Sequence, residues 1–180
     1  MEIYLVRHTE TVCEEGICYG QSDVGIRAPY DAIFESILEQ LPEQGVLYTS
    51  PLQRCSILAQ HIQEAKGIPI VAEEPRLKEM HFGDWELQAW NAIPRTALDP
   101  WMNDFVNVAV PNGESFMDLE KRVWEFLEEK LEKPNEKPLI LVTHSGVIRS
   151  VLCRINNIPL QEAFATPLDY GVVVKVEYTR

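Results

Sequence analysis

Short apolar runs and amphipathic stretches alternate along this chain. Ile3-Tyr4-Leu5-Val6 is continuous, apolar and rich in β-branched and aromatic side chains, the composition of a strand buried on both faces. Leu139 to Thr143 repeats that design near the other end, and Val46 to Thr49 and Ile68 to Ala72 predict two further strands. Helical spacing fills the intervals. Ile33, Phe34, Ile37, Leu38 and Leu41 lie on one side of a helix from about Ala32 to Gln40 that Asp31 can cap. A second helix starts at Ser50-Pro51, with the proline at the tolerated first position, and closes at Gly67. A third, opened by Ser115 or Glu114 and running to about Glu132, turns Leu119, Val123, Phe126, Leu127 and Leu131 inward. A fourth runs from Ser145 to about Ile155, and the alternating run from Gly171 to Tyr178 predicts an edge strand, antiparallel to the rest. Strands that alternate with helices imply an α/β fold, a three-layer α/β/α sandwich on a mostly parallel sheet.

Three stretches do not fit that alternation. Thr9 to Pro29 contains Gly16, Gly20 and Gly25 and is long enough to be a binding loop. Residues 73–111 are irregular and hold Trp85, Trp90, Trp101, Phe82 and Phe105, which suits an ordered cap inserted into a single domain spanning residues 1–180. Lys133-Pro134-Asn135-Glu136-Lys137-Pro138 reads as a polar surface link.

Composition narrows the classes of partner. A chain of 180 residues, 46% hydrophobic, can bury one proper core. Its net charge of -12 argues against nucleic acid, whose phosphate backbone needs a basic surface, and against an anionic membrane surface. A small anionic metabolite stays compatible, because it feels the local pocket more than the total charge. Cys13, Cys18, Cys55 and Cys153 match neither a zinc spacing nor a dense disulfide framework, so reduced thiols in a cytoplasmic protein are expected. No signal-peptide pattern opens the sequence and no apolar stretch approaches the ~20 residues of a membrane span.

The candidate chemistry sits where strands end. Arg7-His8 follows the first strand and His144 follows the strand at Leu139, at the carboxyl ends where open α/β sheets bind ligands. If the two strands are neighbours, the two histidines meet. Arg54 lies in the first turn of a helix, where a cation opposes the macrodipole unless an anion binds beside it. Glu79 lies among aromatic residues, a setting that favours a carboxyl group able to hold a proton. Asp84 and Glu86 compete with it for that role. No HExxH, G-x-S-x-G, P-loop or G-x-G-x-x-G pattern occurs, and no metal or other cofactor is expected.

Four blocks together carry a resemblance: Leu5-Val6-Arg7-His8-Thr9-Glu10-Thr11, Ser50-Pro51-Leu52-Gln53-Arg54-Cys55, Glu79-Met80-His81-Phe82-Gly83-Asp84-Trp85-Glu86 and Val142-Thr143-His144-Ser145-Gly146. In this order they resemble the signature blocks of the histidine phosphatase superfamily, with its phosphoglycerate mutase-like fold. The resemblance implies that His8 is the nucleophile and forms a phosphohistidine. It also implies that Arg7, Arg54 and His144 bind the phosphate and that Glu79 donates and accepts the proton. Two arginines and His144 would supply the positive charge that phosphoryl transfer needs without a metal. The chain departs from the pattern at Thr9 and Leu87, where the family usually has glycine, and at Glu14, near a position where mutases often carry asparagine.

Residues 16–24 and 111–116 resemble the alpha-ribazole phosphatase branch of cobalamin synthesis, which implies alpha-ribazole 5′-phosphate as substrate and Tyr19, Gly20 and Gln21 as substrate-binding residues. Aromatic residues of the cap could stack on a base, although tryptophans in a small domain more often form core. Other readings are a broad-specificity sugar-phosphate phosphatase, a phosphoglycerate mutase-like enzyme, and a non-catalytic phospholigand-binding protein. Retention of both histidines, both arginines and Glu79 argues against the last. Monomer and homodimer both stay open.

Overall fold

The computed structural model describes residues 1–132 and 137–179, so most of the polar link expected over 133–138 lies outside the described residues. Five strands form the main sheet: β1 (Glu2–Arg7), β3 (Val46–Thr49), β4 (Ile70–Glu73), β6 (Leu139–Thr143) and β7 (Val173–Glu177), in the order β4-β3-β6-β1-β7. Only β7 runs antiparallel, against β1. The helices are α1 (Asp31–Gln40), α2 (Gln53–Lys66), α3 (Arg95–Asn103), α4 (Phe116–Leu131) and α5 (Ser145–Ile155).

The apolar runs of β1 and β6 are continuous because both faces of the sheet are covered. Ile3, Leu5, Leu139 and Leu141 face a core built with α4, α5 and the aromatic segment. Tyr4, Val6, Ile140 and Val142 face a second core built with α1 and α2. Every residue of β6 is buried. The strands pair in parallel with Ile3 opposite Leu139 and Arg7 opposite Thr143, so His8 and His144 leave the sheet side by side.

Element ends differ from the sequence reading in ways that bear on the site. Asp31 does not cap α1. Tyr30 holds that position without a side-chain bond, and Asp31 is the first helical residue, where its charge suits the macrodipole. Helix α2 begins at Gln53 rather than Pro51, and the Gln53 amide donates to Asp23 Oδ1 at 2.7 Å, a long-range cap from the first loop. Ser115 caps α4 with a full capping box to Asp118. Residues 73–111 are more regular than expected, with three short 3₁₀ turns and α3. A two-residue strand pair, β2 (Ile17–Cys18) with β5 (Gln88–Ala89), ties that segment to the first loop. Phe82, Trp85, Trp90 and Trp101 pack ring against ring, so these aromatics form the segment's own core rather than a stacking surface.

The two departures from the family's glycines differ physically. Thr9 has no positive φ, so a side chain fits there at no backbone cost. Leu87 has φ 62° and is 60% exposed, a left-handed conformation that is rare for a bulky residue. Relief of about 1–2 kcal/mol of left-handed strain outweighs the ~0.5–1 kcal/mol entropy cost of glycine. Leu87→Gly should therefore raise stability by up to about 1 kcal/mol, read as a higher denaturant midpoint at unchanged slope; a lower midpoint would contradict this account.

Candidate active site

His8 and His144 lie at the carboxyl ends of the adjacent strands β1 and β6, with ring centroids 5.1 Å apart. The His8 amide donates to the Thr143 carbonyl at 3.1 Å, which continues the ladder and fixes the spacing. His8 Nδ1 lies 2.7 Å from the Thr9 carbonyl. A carbonyl only accepts, so the neutral ring carries its hydrogen on Nδ1 and keeps the Nε2 lone pair free. The ring is neutral: burial, then Arg54 and Arg7, pull its pKa from 6.5 down to about 3, against the Thr9 bond, which raises it.

Arg54 is completely buried and, among the described residues, pairs with no carboxylate. Its guanidinium donates to the carbonyls of Gly20 at 2.6 Å and Ser22 at 2.8 Å, and it stands 5.1 Å from the Tyr19 ring. Arg7 donates to the Leu168 carbonyl and stacks 4.0 Å from the Tyr170 ring. The Nε of each arginine is buried without a hydrogen-bond partner. Two cations with unused donors flank the imidazole, a setting for an anion. The Thr9 hydroxyl is a third buried polar group without a partner.

His144 corrects one expectation. Burial, followed by Arg54 and His8, pushes its pKa well below 6.5, so it is neutral at pH 7 and offers hydrogen bonding rather than charge. Ser50 Oγ lies 2.8 Å from its Nε2 and Cys55 Sγ 3.5 Å. The positive charge of the pocket comes from Arg7 and Arg54.

Glu79 reaches the same region from the segment after β4. Its carboxylate accepts from the Met80 amide at 2.9 Å and, at the start of α5, from the Gly146 amide at 3.2 Å and the Ser145 hydroxyl at 3.4 Å. Arg122 on α4 holds this segment by donating to the carbonyls of Arg76, Lys78 and Glu79 while paired with Glu114. The two competing acids are occupied elsewhere. Glu86 accepts from the amides of Gln21 and Phe82 and the hydroxyl of Ser22, and Asp84 accepts from Asn112. Gly20 and Gln21, expected to bind substrate, have bracing roles in this structure. Gly20 holds Arg54, and Gln21 donates to the Glu79 carbonyl. Tyr19 stands at the mouth, its hydroxyl 3.1 Å from that of Tyr170.

The sequence reading missed Tyr170, Arg122 and Arg149. Tyr170 precedes β7 and has no local signature. Arg149 lies one helical turn beyond Ser145, a spacing that could have flagged it. Among the described residues no group of three or more His, Cys, Asp or Glu could hold a metal, and no helix is long and apolar enough to cross a membrane. A larger hollow lies at the opposite ends of the strands, lined by Met1, Val46, Tyr48 and Leu139, far from these side chains.

Residues 3–180 match the model of the histidine phosphatase superfamily, branch 1. The chain belongs to that superfamily. It is 28% identical to "Putative phosphoserine phosphatase 2" of Hydrogenobacter thermophilus over 97% of this chain and 88% of the relative. It is 25% identical to the adenosylcobalamin/alpha-ribazole phosphatase of Escherichia coli over 95% and 87% of the two chains. The alpha-ribazole phosphatase structure from Shigella flexneri superposes with TM-score 0.88 at 23% identity, over 100% of this chain and 92% of that one, and supports the phosphoglycerate mutase-like fold. This histidine phosphatase is thus an enzyme of the phosphatase class.

The depressed His8 pKa links the site to stability. Between pH 6.5 and 3 the unfolded chain binds a proton that folded His8 refuses, so this histidine lowers stability as pH falls through that window. At pH 5 the penalty is about 2 kcal/mol. His8→Asn should reduce by about that amount the loss of unfolding free energy between pH 8 and pH 5. An unchanged pH dependence in the variant would show that His8 titrates normally.

Proposed function

We propose that this enzyme hydrolyses the phosphomonoester of a small metabolite through a phosphohistidine on His8. The observation that carries the reading is a neutral His8 whose Nδ1 is committed to the Thr9 carbonyl, set between two guanidiniums with unused Nε donors. In this scheme Nε2 attacks phosphorus while Arg7 and Arg54 hold the equatorial oxygens and His144 adds a hydrogen bond. The ester oxygen departs with a proton from Glu79. Water then attacks the phosphohistidine, Glu79 takes its proton, and inorganic phosphate leaves with His8 restored.

Alpha-ribazole 5′-phosphate is the first substrate to assay. Support comes from relatives named for that activity at 25% and 27% identity, over 95% of this chain. The resemblance of residues 16–24 and 111–116 carries less weight, since those segments already have structural work. Gly113 lies so close to Gly83 and the His81 carbonyl that a Cβ would be 2.4 Å from the latter. A second reading, a phosphorylated hydroxy acid, is favoured by the placement of Arg149 described below.

His8→Ala should abolish the acid-labile phosphoenzyme and turnover in a folded protein; substantial residual activity would reject His8 as nucleophile. Glu79→Gln should slow hydrolysis of an alkyl phosphate by ~10²- to 10⁴-fold, yet affect His8 phosphorylation by an aryl phosphate much less, because nitrophenolate leaves without protonation. Equal slowing of both would make Glu79 a positioning group. Gly146→Ala offers an independent check, since a Cβ there would lie 2.2 Å from Glu79 Oε1 and displace the carboxylate. Alkyl phosphate turnover should drop on the order of 10²-fold with the fold retained. Unaltered turnover would separate Glu79 from the reaction.

A further inference from the structure

Among the described residues, three arginines carry a buried Nε without a hydrogen-bond partner: Arg7, Arg54 and Arg149. The first two flank His8. Arg149 lies on the Glu79 side. It stands on α5 one turn beyond Ser145 and Gly146, which both contact Glu79, and it lines a cavity of about 120 Å³ with Glu79, Met80, Phe82, Phe116 and Phe164. Among the described residues Arg149 makes no hydrogen bond and no ion pair. Its guanidinium lies 4.9 Å from the Phe164 ring and feels the Glu79 charge through space, without an ion-pair contact.

We propose that Arg149 binds a second anionic group, carried by the part of the substrate that leaves with the ester oxygen. The inference rests on the phosphomonoesterase reading and sharpens its substrate class. Glu79 is the group that would protonate the leaving oxygen, so the cavity it shares with Arg149 lies on the leaving-group side of phosphorus. The buried Nε of Arg149 is left without an acceptor, which is costly, and a carboxylate satisfies Nε and a neighbouring Nη with two charge-assisted bonds. Stacking on Phe164 does not explain the burial, because that ring is itself 54% exposed. The volume points the same way. About 120 Å³ is far below the ~300–1,000 Å³ of pockets for drug-sized ligands and suits a leaving group of a few heavy atoms. A small phosphorylated hydroxy acid meets both conditions. The nucleoside released from alpha-ribazole 5′-phosphate carries no anion for Arg149.

Non-hydrolysable phosphonates test this without relying on turnover. 3-Phosphonopropionate and 3-hydroxypropylphosphonate share a phosphonate and a chain length and differ in the terminal carboxylate. Calorimetric titration of the wild-type protein should show the carboxylate ligand binding about tenfold more tightly or better, the size of one charge-assisted bond. In Arg149→Met the ratio should fall to about one, and Arg149→Lys should retain part of it. Ethane-1,2-diphosphonate distinguishes the source of the anion. A larger Arg149-dependent preference for it than for the carboxylate assigns a second phosphate. Equal wild-type affinity for the charged and neutral ligands would overturn the proposal, and so would equal weakening of both in Arg149→Met. Aryl phosphate hydrolysis, measured in parallel on the wild type, fails only if the phosphatase reading itself is wrong.

Discussion

A fully buried guanidinium that pairs with no carboxylate among the described residues governs this site. Arg54 keeps its charge at the bottom of the pocket by donating to two backbone carbonyls, those of Gly20 and Ser22. Carbonyl dipoles hold the cation without cancelling it, and the remaining field acts on its neighbours. After burial, Arg54 is the leading cause of the lowered pKa of both His8 and His144. One arrangement therefore attracts a phosphoryl group and keeps the attacking imidazole unprotonated. In a chain of net charge -12, the carboxylates of Glu86, Asp23 and Glu79 are engaged with other donors.

Holding those two carbonyls in place is the task of much of the surrounding loop structure. Glu86 fixes Gln21 and Ser22 from the aromatic segment, and Asp23 caps α2, the helix that carries Arg54. Gln21 and Arg122 in turn hold the Glu79 backbone. The first loop, the aromatic segment and α2 thus form one braced unit around two functional side chains. Such side chains act best when their own positions are over-determined.

The same logic separates arginines that serve architecture from those that serve ligands. Arg76 and Arg122 meet carboxylates or carbonyls with most of their donors. Arg7, Arg54 and Arg149 each keep a buried Nε unused; Arg7 and Arg54 stand near enough to His8 to lower its pKa, and Arg149 shares a cavity with Glu79. Unsatisfied donors of that kind are uncommon in native interiors and mark places where the fold keeps bonding capacity in reserve.

Much of the fold is written in local pattern. Two apolar runs that end in histidine dictated two buried parallel strands, because only a sheet covered on both faces suits Ile3–Val6 and Leu139–Val142. The helix spacings and the order of the four motif blocks followed from the same local chemistry. What tertiary structure decided is everything set by contacts between segments distant in sequence. Pairing β1 with β6 joined His8 to His144 across 136 residues. Asp23 came to cap α2 from the first loop, and Glu86, a candidate acid by sequence, became a brace. Tyr170 entered the site from a segment with no motif of its own. Burial made His144 neutral, which no residue-by-residue reading can supply, because a pKa in a protein is set by the charges and the solvent that the fold brings to it or takes away.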